Sequence, residues 1–289
     1  ATIIEHSGAR LLIATKELAE SARQVSERTG ITVINAGFPE SEYEQRLASS
    51  PWESVTIKDE LSLLAINYTS GSTGNPKGVM YSHRGAYLQS LAVAYHSRLG
   101  LDSAYLWTLP MFHCTGWCFT WGVTAAGATH ICQRFTDPPG TWRMICDGGA
   151  THLCAAPTLL NMIAEAADAA GGRPSRPVWV GAGGAPPTPV LLAHLARLNM
   201  QVAHIYGLTE TYGPAVVNEW QPEWSDKPEL ERARLNARQG VSNIVGGHLS
   251  VIGANGDEVP ADGATLGEIA FRGNNVMLGY YRDDDATRA

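Results

Sequence analysis

Between residues 100 and 206, short apolar runs and longer amphipathic stretches alternate with a regularity that leaves few architectures open. Runs near 105 to 109, 128 to 135, 151 to 155, 177 to 181 and 201 to 206 have the length and composition of buried strands. The segments between them, near 116 to 126, 140 to 147, 158 to 169 and 188 to 198, carry apolar residues at helical spacing. Strands that alternate with helices build largely parallel sheets covered by helices, and ligands gather at the strand ends and the loops that follow. The expected fold class is α/β, with stacked, largely parallel sheets.

The flanks extend this pattern. Residues 9 to 14 and 31 to 35 read as strands around a polar helix at 15 to 29, a βαβ unit. Residues 38 to 57 read as irregular and polar, and Leu61 to Thr69 as a strand that runs into a glycine-rich segment. After a short strand at Val79 to Tyr81, Ser82 is placed to cap a helix reaching about Arg98. Beyond Gly213 a charged stretch precedes short strands punctuated by Gly246-Gly247, Asn255-Gly256 and Asp262-Gly263. The domain reading is an α/β core over 1–239 and a β-rich subdomain over 240–289.

Composition excludes some functions. A formal charge of -7, from 21 Lys and Arg against 28 Asp and Glu, opposes nucleic-acid binding in the absence of a local basic cluster. Ser103 to Gln133 contains no charged residue, but Pro110, His113, Gly116, Gly122, Gly127 and five threonines fit a buried strand, loop, helix and strand better than a membrane span. Five cysteines without a signal peptide predict reduced thiols in a cytoplasmic compartment. His130-x-Cys132 and His152-x-Cys154 would each put two metal-ligating side chains on one strand face, yet compact zinc spacing is missing, and small buried hydrophobes are the plainer reading. Ala1 and the segment Asp283 to Ala289 both read as cut ends.

The glycine-rich segment is Tyr68-Thr-Ser-Gly-Ser-Thr-Gly-Asn-Pro-Lys-Gly78. Glycines at 71, 74 and 78 permit a nest of backbone N–H donors for phosphate; Thr69, Ser70, Ser72 and Thr73 add hydroxyls and Lys77 a cation. It is not a Walker loop, because Pro76 and Gly78 flank the lysine. A hydrophilic hairpin turn around Gly74-Asn75-Pro76 fits the same composition. A second segment, Ile205-Tyr-Gly-Leu-Thr-Glu-Thr-Tyr-Gly-Pro214, follows a predicted strand and offers an aromatic face at Tyr206, a hydroxyl at Thr209 and a hard oxygen ligand at Glu210.

Together with Gly181-Ala-Gly-Gly-Ala-Pro-Pro187 and Leu266 to Tyr281, these segments resemble, in order, the motifs of the adenylate-forming superfamily: acyl-CoA synthetases, peptide-synthetase adenylation domains and luciferases. The resemblance implies the large N-terminal domain of such an enzyme, with its C-terminal lid domain absent from the chain. It implies that Thr69, Ser70, Gly71, Ser72, Thr73, Gly74 and Lys77 hold the β- and γ-phosphates of ATP. Gly184, Ala185, Pro186, Tyr206 and Gly207 would frame the nucleotide, Thr209 the α-phosphate, and Glu210 a Mg2+ ion. Trp117, Gly183 and His204 would line the acyl pocket. His113 would gate the carboxylate and ATP region, or else be a hydrogen-bonded core histidine.

In relatives that activate amino acids, an aspartate shortly after the Pro-x-Phe turn pairs with the ammonium. Here Pro110-Met-Phe-His-Cys-Thr-Gly-Trp117 is followed by no acid before Asp137, so burying an ammonium would be costly. With Trp117, Phe119 and Trp121 beside it, the run resembles acyl-CoA synthetases of short or medium carboxylic acids, enzymes of fatty acid metabolism with coenzyme A as co-substrate. Trp117 and Trp121, at i and i+4 of a predicted helix, also suit ordinary core packing. The alternatives are an adenylating domain that delivers to a carrier protein and a non-catalytic nucleotide-binding fragment.

Overall fold

The computed structural model describes residues 1–69 and 76–288. The described residues group into two compact units. The smaller takes in residues 1–60, the ends of 68–78 and the C-terminal segment from Tyr280; the larger takes in 61–67 and 79–279.

In the smaller unit α1 (Thr2–Ser7) leads into β1 (Leu11–Thr15), which pairs in parallel with β2 (Thr32–Ala36), Leu11 opposite Thr32 through Thr15 opposite Ala36. α2 (Ala19–Thr29) makes the crossover and stops at Gly30, whose φ of 72° is left-handed. α3 (Glu42–Ser49) replaces the irregular chain expected there: Ser41 Oγ accepts the Glu44 N–H at 3.4 Å, and Arg46 pairs with Glu42 one turn back. β3 (Leu63–Thr69) and β4 (Lys77–Ser82) form a two-stranded sheet and carry the chain between the units.

In the larger unit α4 (His83–Ser97) is capped as expected by Ser82, whose Oγ accepts the Gly85 N–H at 3.0 Å. Then follow β5 (Ala104–Trp107), α5 (Cys114–Trp117), α6 (Phe119–Ala125), β6 (Thr129–Cys132), α7 (Pro138–Cys146), β7 (His152–Ala155), α8 (Pro157–Ala170), β8 (Val178–Ala182), α9 (Pro189–Arg197), β9 (Met200–Leu208), β10 (Gly213–Val217), α10 (Glu229–Asn236) and β11 (Val241–Ser242). The strands form one seven-stranded sheet in the order β11-β10-β9-β8-β7-β5-β6, parallel from β9 to β6 and antiparallel at the β10 and β11 edge.

Alternation along each strand divides the core. Leu106, Leu153, Val178, Val180 and Ala182 face one way and pack with Trp142, Ile145, Leu160, Ile163, Leu191 and Leu195 of α7, α8 and α9. Tyr105, Trp107, Cys154 and Ile205 face the other way and pack with Val93 of α4 and with Trp117, Phe119 and Val123. The uncharged stretch is thus a strand, loop, helix and strand as expected, buried at β5 and along most of α5 and α6 but largely exposed at β6, the edge strand, and no helix among the described residues is long and apolar enough to cross a membrane.

Two expectations change. The helix predicted over 116 to 126 is broken: Cys114, Thr115, Gly116, Trp117 and Cys118 all have positive φ, from 45° to 63°, so α5 is a left-handed turn and only Phe119–Ala125 is an ordinary helix. Trp117 and Trp121 are therefore not one helical face. The compact units also do not divide at 239/240. β11 pairs with β10, Val216 opposite Ser242, and the Asn243 N–H donates to the Ala215 carbonyl at 2.8 Å, so the chain after 240 continues the large sheet. Beyond it, β12 (His248–Ile252) and β13 (Glu268–Arg272) form an antiparallel pair, and α11 (Asp284–Arg288) ends the described chain in the smaller unit.

Candidate active site

The C-terminal ends of adjacent parallel strands converge on one place in the larger unit. β9 leads straight into a 3-10 turn at Thr209–Thr211, then Tyr212 in left-handed conformation, then β10. The hairpin is drawn very tight: a Cβ on Gly207 would lie 2.6 Å from the Gly213 carbonyl carbon and closer still to its oxygen. That approach is the physical need for the glycine after Tyr206.

The turn that carries Thr209 and Glu210 has its backbone fixed from two sides. The Tyr81 hydroxyl donates to the Thr209 carbonyl at 2.8 Å, and the Met277 N–H donates to the Glu210 carbonyl at 2.8 Å. Tyr81 itself is wholly buried, and burial pushes its hydroxyl far above the usual tyrosine range, so it stays a donor. Tyr212 stacks on Tyr81 and accepts the Ser82 N–H at 2.7 Å. The hydroxyl of Thr209 meets the Cys114 thiol at 3.4 Å. Burial raises the Cys114 pKa, which keeps the thiol neutral.

The left-handed turn brings Trp117 to the same place. Trp117 Cη2 lies 3.0 Å from where a Cβ on Gly183 would sit, and its Cα 3.1 Å from that of Gly213. Thus Gly183 after β8, Gly213 at the start of β10 and Trp117 after β5 form one wall, although β5 is three places from β9 in the sheet. Gly184, Ala185 and Pro186 follow on the exposed side, where a Cβ on Gly184 would meet nothing within 4 Å. Tyr206 packs one ring face toward Phe271, centroids 6.2 Å apart, so a purine could stack only on the opposite face. His113 is exposed, its ring 6.4 Å from Trp117, and is therefore not a core histidine.

His204 is the exception. It faces away from Ile205 along β9, and its buried Nδ1 donates to the carbonyls of Ala237 and Arg238, both at 3.0 Å. It braces the end of α10 and does not join the Trp117–Gly183 wall. In the smaller unit Lys77 begins β4, and its ammonium lies 4.9 Å from the centre of the Tyr280 ring; Thr69 ends β3. Ser70, Gly71, Ser72, Thr73 and Gly74 lie outside the described residues.

Residues that sequence reasoning passed over are Tyr81, Cys114, Tyr212 and Met277, which hold the Thr209–Glu210 turn. Cys114 stood inside the run that drew attention to His113; Tyr81 and Met277 gave no signal, since only the fold brings them to Thr209 and Glu210.

Among the described residues no three of His, Cys, Asp and Glu come together as a cation site. A single carboxylate such as Glu210 nevertheless suits Mg2+, which is commonly held by one or two carboxylates together with a substrate's phosphates.

Parallel strands whose ends carry a glycine loop and a Thr-Glu turn define an α/β domain built to receive a ligand at its strand ends. The chain belongs to the AMP-binding enzyme family, which matches it over residues 1–281. It is 47% identical over 232 residues to acetate–CoA ligase CCL3 of Humulus lupulus, covering 79% of this chain and 41% of that protein. It is 37% identical over 302 residues to 4-hydroxybutyrate–CoA ligase 2 of Metallosphaera sedula, covering 99% and 55%. The chain thus spans about half the length of the curated relatives it matches. The fold is shared with the inhibitor-bound N-terminal domain of FACL13 from Mycobacterium tuberculosis, at a TM-score of 0.84 and 23% identity, covering 99% of this chain and 69% of that one. It is shared also with ATP-bound MatB from Rhodopseudomonas palustris, at 0.79 and 22%, covering 99% and 55%.

Proposed function

We propose that the protein containing this chain activates a carboxylic acid with ATP and passes the acyl group to coenzyme A. The observation that carries this reading is the fixed Thr209–Glu210 turn at the end of β9, beside the Trp117–Gly183 wall, in a member of the AMP-binding family. A carboxylate oxygen attacks the α-phosphorus, the bond to the bridging oxygen breaks, and pyrophosphate leaves. The thiol of coenzyme A then attacks the acyl carbon, and AMP leaves with transfer of the thiol proton to solvent.

The chain's own residues act by positioning and by charge. The Thr209 hydroxyl donates to an α-phosphate oxygen, with Cys114 behind it. Gly184, Ala185 and Pro186 border the nucleotide, the outer face of Tyr206 receives the base, and Gly207 lets β10 pass close behind. Trp117 and Gly183 bound the acyl group, and the exposed His113 stands at its mouth. Glu210 would hold Mg2+, which supplies charge neutralisation on the phosphates. The assignment of residues 69 to 77 to the β- and γ-phosphates rests on their sequence.

The relatives' names include acetate, benzoate and 4-hydroxybutyrate ligases, several described as peroxisomal. They support a small carboxylic acid as substrate, while the five free cysteines support a reducing, cytoplasmic setting. The test is exchange of labelled pyrophosphate into ATP by the full-length protein across a panel of alkanoic, aromatic and amino acids. Exchange that depends on a simple carboxylate is the expected result, and none with any acid would end the proposal.

A further inference from the structure

Cys114, Thr115, Gly116, Trp117 and Cys118 run at φ from 45° to 63°, and only Gly116 among them lacks a side chain. A left-handed backbone sets each Cβ against a carbonyl oxygen, and the conflict is worst for a β-branched residue such as Thr115, at 45°. The unstrained alternative is the right-handed helix that α6 already follows from Phe119. A turn strained in this way persists only where its surroundings determine it.

One side of the turn is seated on the β9–β10 hairpin. Cys114 Sγ lies 3.4 Å from the Thr209 hydroxyl, the Cys118 thiol donates to the Tyr212 carbonyl at 3.2 Å, and the Trp117 Cα lies 3.1 Å from where a Cβ on Gly213 would sit. Gly116 rests on Trp107, where a Cβ would fall 2.7 Å from ring atom Cζ3. The Thr115 carbonyl is bonded locally, to the Cys118 N–H at 3.2 Å and the Thr120 hydroxyl at 3.0 Å. Its other two polar groups go to one distant residue. The Thr115 N–H, at 3.1 Å, and the Thr115 hydroxyl, at 2.9 Å, both donate to Oδ1 of buried Asn67 on β3. A backbone N–H can only donate, which fixes the Asn67 amide with its oxygen toward the turn.

We infer that Asn67 is a positioning residue for adenylation: by holding Thr115 left-handed it sets the turn whose first residue meets the Thr209 hydroxyl and whose fourth bounds the acyl wall. The inference rests on the proposed acyl-activating function. Cys114 and Trp117 stand three residues apart in one fixed turn, so the contact behind the α-phosphate donor and the wall beside the acid are registered against each other. Relaxation toward the opposite hand would move both. Alignment at a reacting centre is steep, and a misplacement of about 1 Å can cost about a hundredfold in rate.

The test is pyrophosphate exchange by the full-length protein with a short carboxylic acid, measured well below the melting temperature of each variant. Asn67→Ala should lower kcat by about a hundredfold and raise KM for the acid by about tenfold, the scale on which a pocket registers one methylene. A residue that served stability alone would lower the melting temperature and leave both constants of the folded protein unchanged, which would overturn the inference. In a Thr115→Gly background, where positive φ carries no side-chain penalty, Asn67→Ala should cost about tenfold less in kcat. An equal cost in both backgrounds would show that Asn67 does not act through Thr115 and would also overturn it. If Asn67→Ala does not fold, Thr115→Val deletes one of the two bonds and should move kcat and acid KM in the same directions by less; no movement is the contrary result. Absence of exchange by the unmodified protein with every acid is a different outcome, which removes the proposed function itself and this inference with it.

Discussion

Tyr81 and Tyr212 stack with ring centroids 3.9 Å apart and planes 23° from parallel, both rings fully buried. The Tyr81 hydroxyl donates to the Thr209 carbonyl, and the Tyr212 hydroxyl accepts the N–H of Ser82, the capping residue of α4. A single aromatic pair therefore couples the start of a core helix to the turn bearing Thr209 and Glu210.

Gly85, in the first turn of α4, lies under the Tyr212 ring, and a methyl there would come within 2.5 Å of the hydroxyl oxygen and 2.9 Å of Cε1. Gly85→Ala should lower stability by about 1–3 kcal/mol, the usual cost of overpacking, read from the urea unfolding midpoint. Tyr81→Phe keeps the stack but strands the Thr209 carbonyl, and should cost about 1–3 kcal/mol while also slowing adenylation.

Gly207 tolerates less. Its neighbour across the hairpin is backbone, which cannot rotate aside, so Gly207→Ala should cost about 3 kcal/mol or more and appear as loss of soluble folded protein. Recovery of a protein with unaltered melting temperature would contradict the hairpin geometry described.

The five cysteines should divide by reactivity. Cys132 is exposed, whereas Cys114, Cys118 and Cys154 are buried, and burial raises all three thiols, Cys154 to about 12. Half-buried Cys146, its thiol also raised by burial, falls between them; since the thiolate is the reactive form, brief alkylation at pH 8 should label Cys132 first and reach Cys114, Cys118 and Cys154 only on unfolding, as peptide mass spectrometry would show.

Two buried histidines set an acid limit on stability. Burial lowers the pKa of both His152, whose Nε2 bonds the Ser97 carbonyl at 2.9 Å, and His204, bonded to the carbonyls after α10. The unfolded chain binds these protons from about pH 6.5 downward while the folded chain resists them, so stability should fall as pH drops below that point. His204→Gln should flatten this limb in melting curves taken from pH 7.5 to 5.

The alternating texture of residues 100 to 206 was enough to read the parallel sheet, because strands buried on both faces leave an unbroken apolar signature between helical ones. The Thr209–Glu210 turn was legible through its motif. Other features depend on partners far away in sequence. The left-handed turn at 114–118 carries no periodic signal, and its residues resemble a helix start until their φ angles are known. His204 has the right sequence position for a pocket but the wrong strand face. α3 was readable in principle from Ser41 and Glu44 at capping-box spacing, yet its polarity masked it.

The most direct measurement is the site of ATP cleavage. Full-length protein given α-labelled ATP, Mg2+ and a short carboxylic acid, without coenzyme A, should form an acyl-adenylate, with AMP and pyrophosphate as the final products. Glu210→Gln should reduce that yield by about a hundredfold, the loss of one strong transition-state contact. Formation of ADP in place of AMP, or an unchanged yield in the variant, would contradict the role given to the Thr209–Glu210 turn.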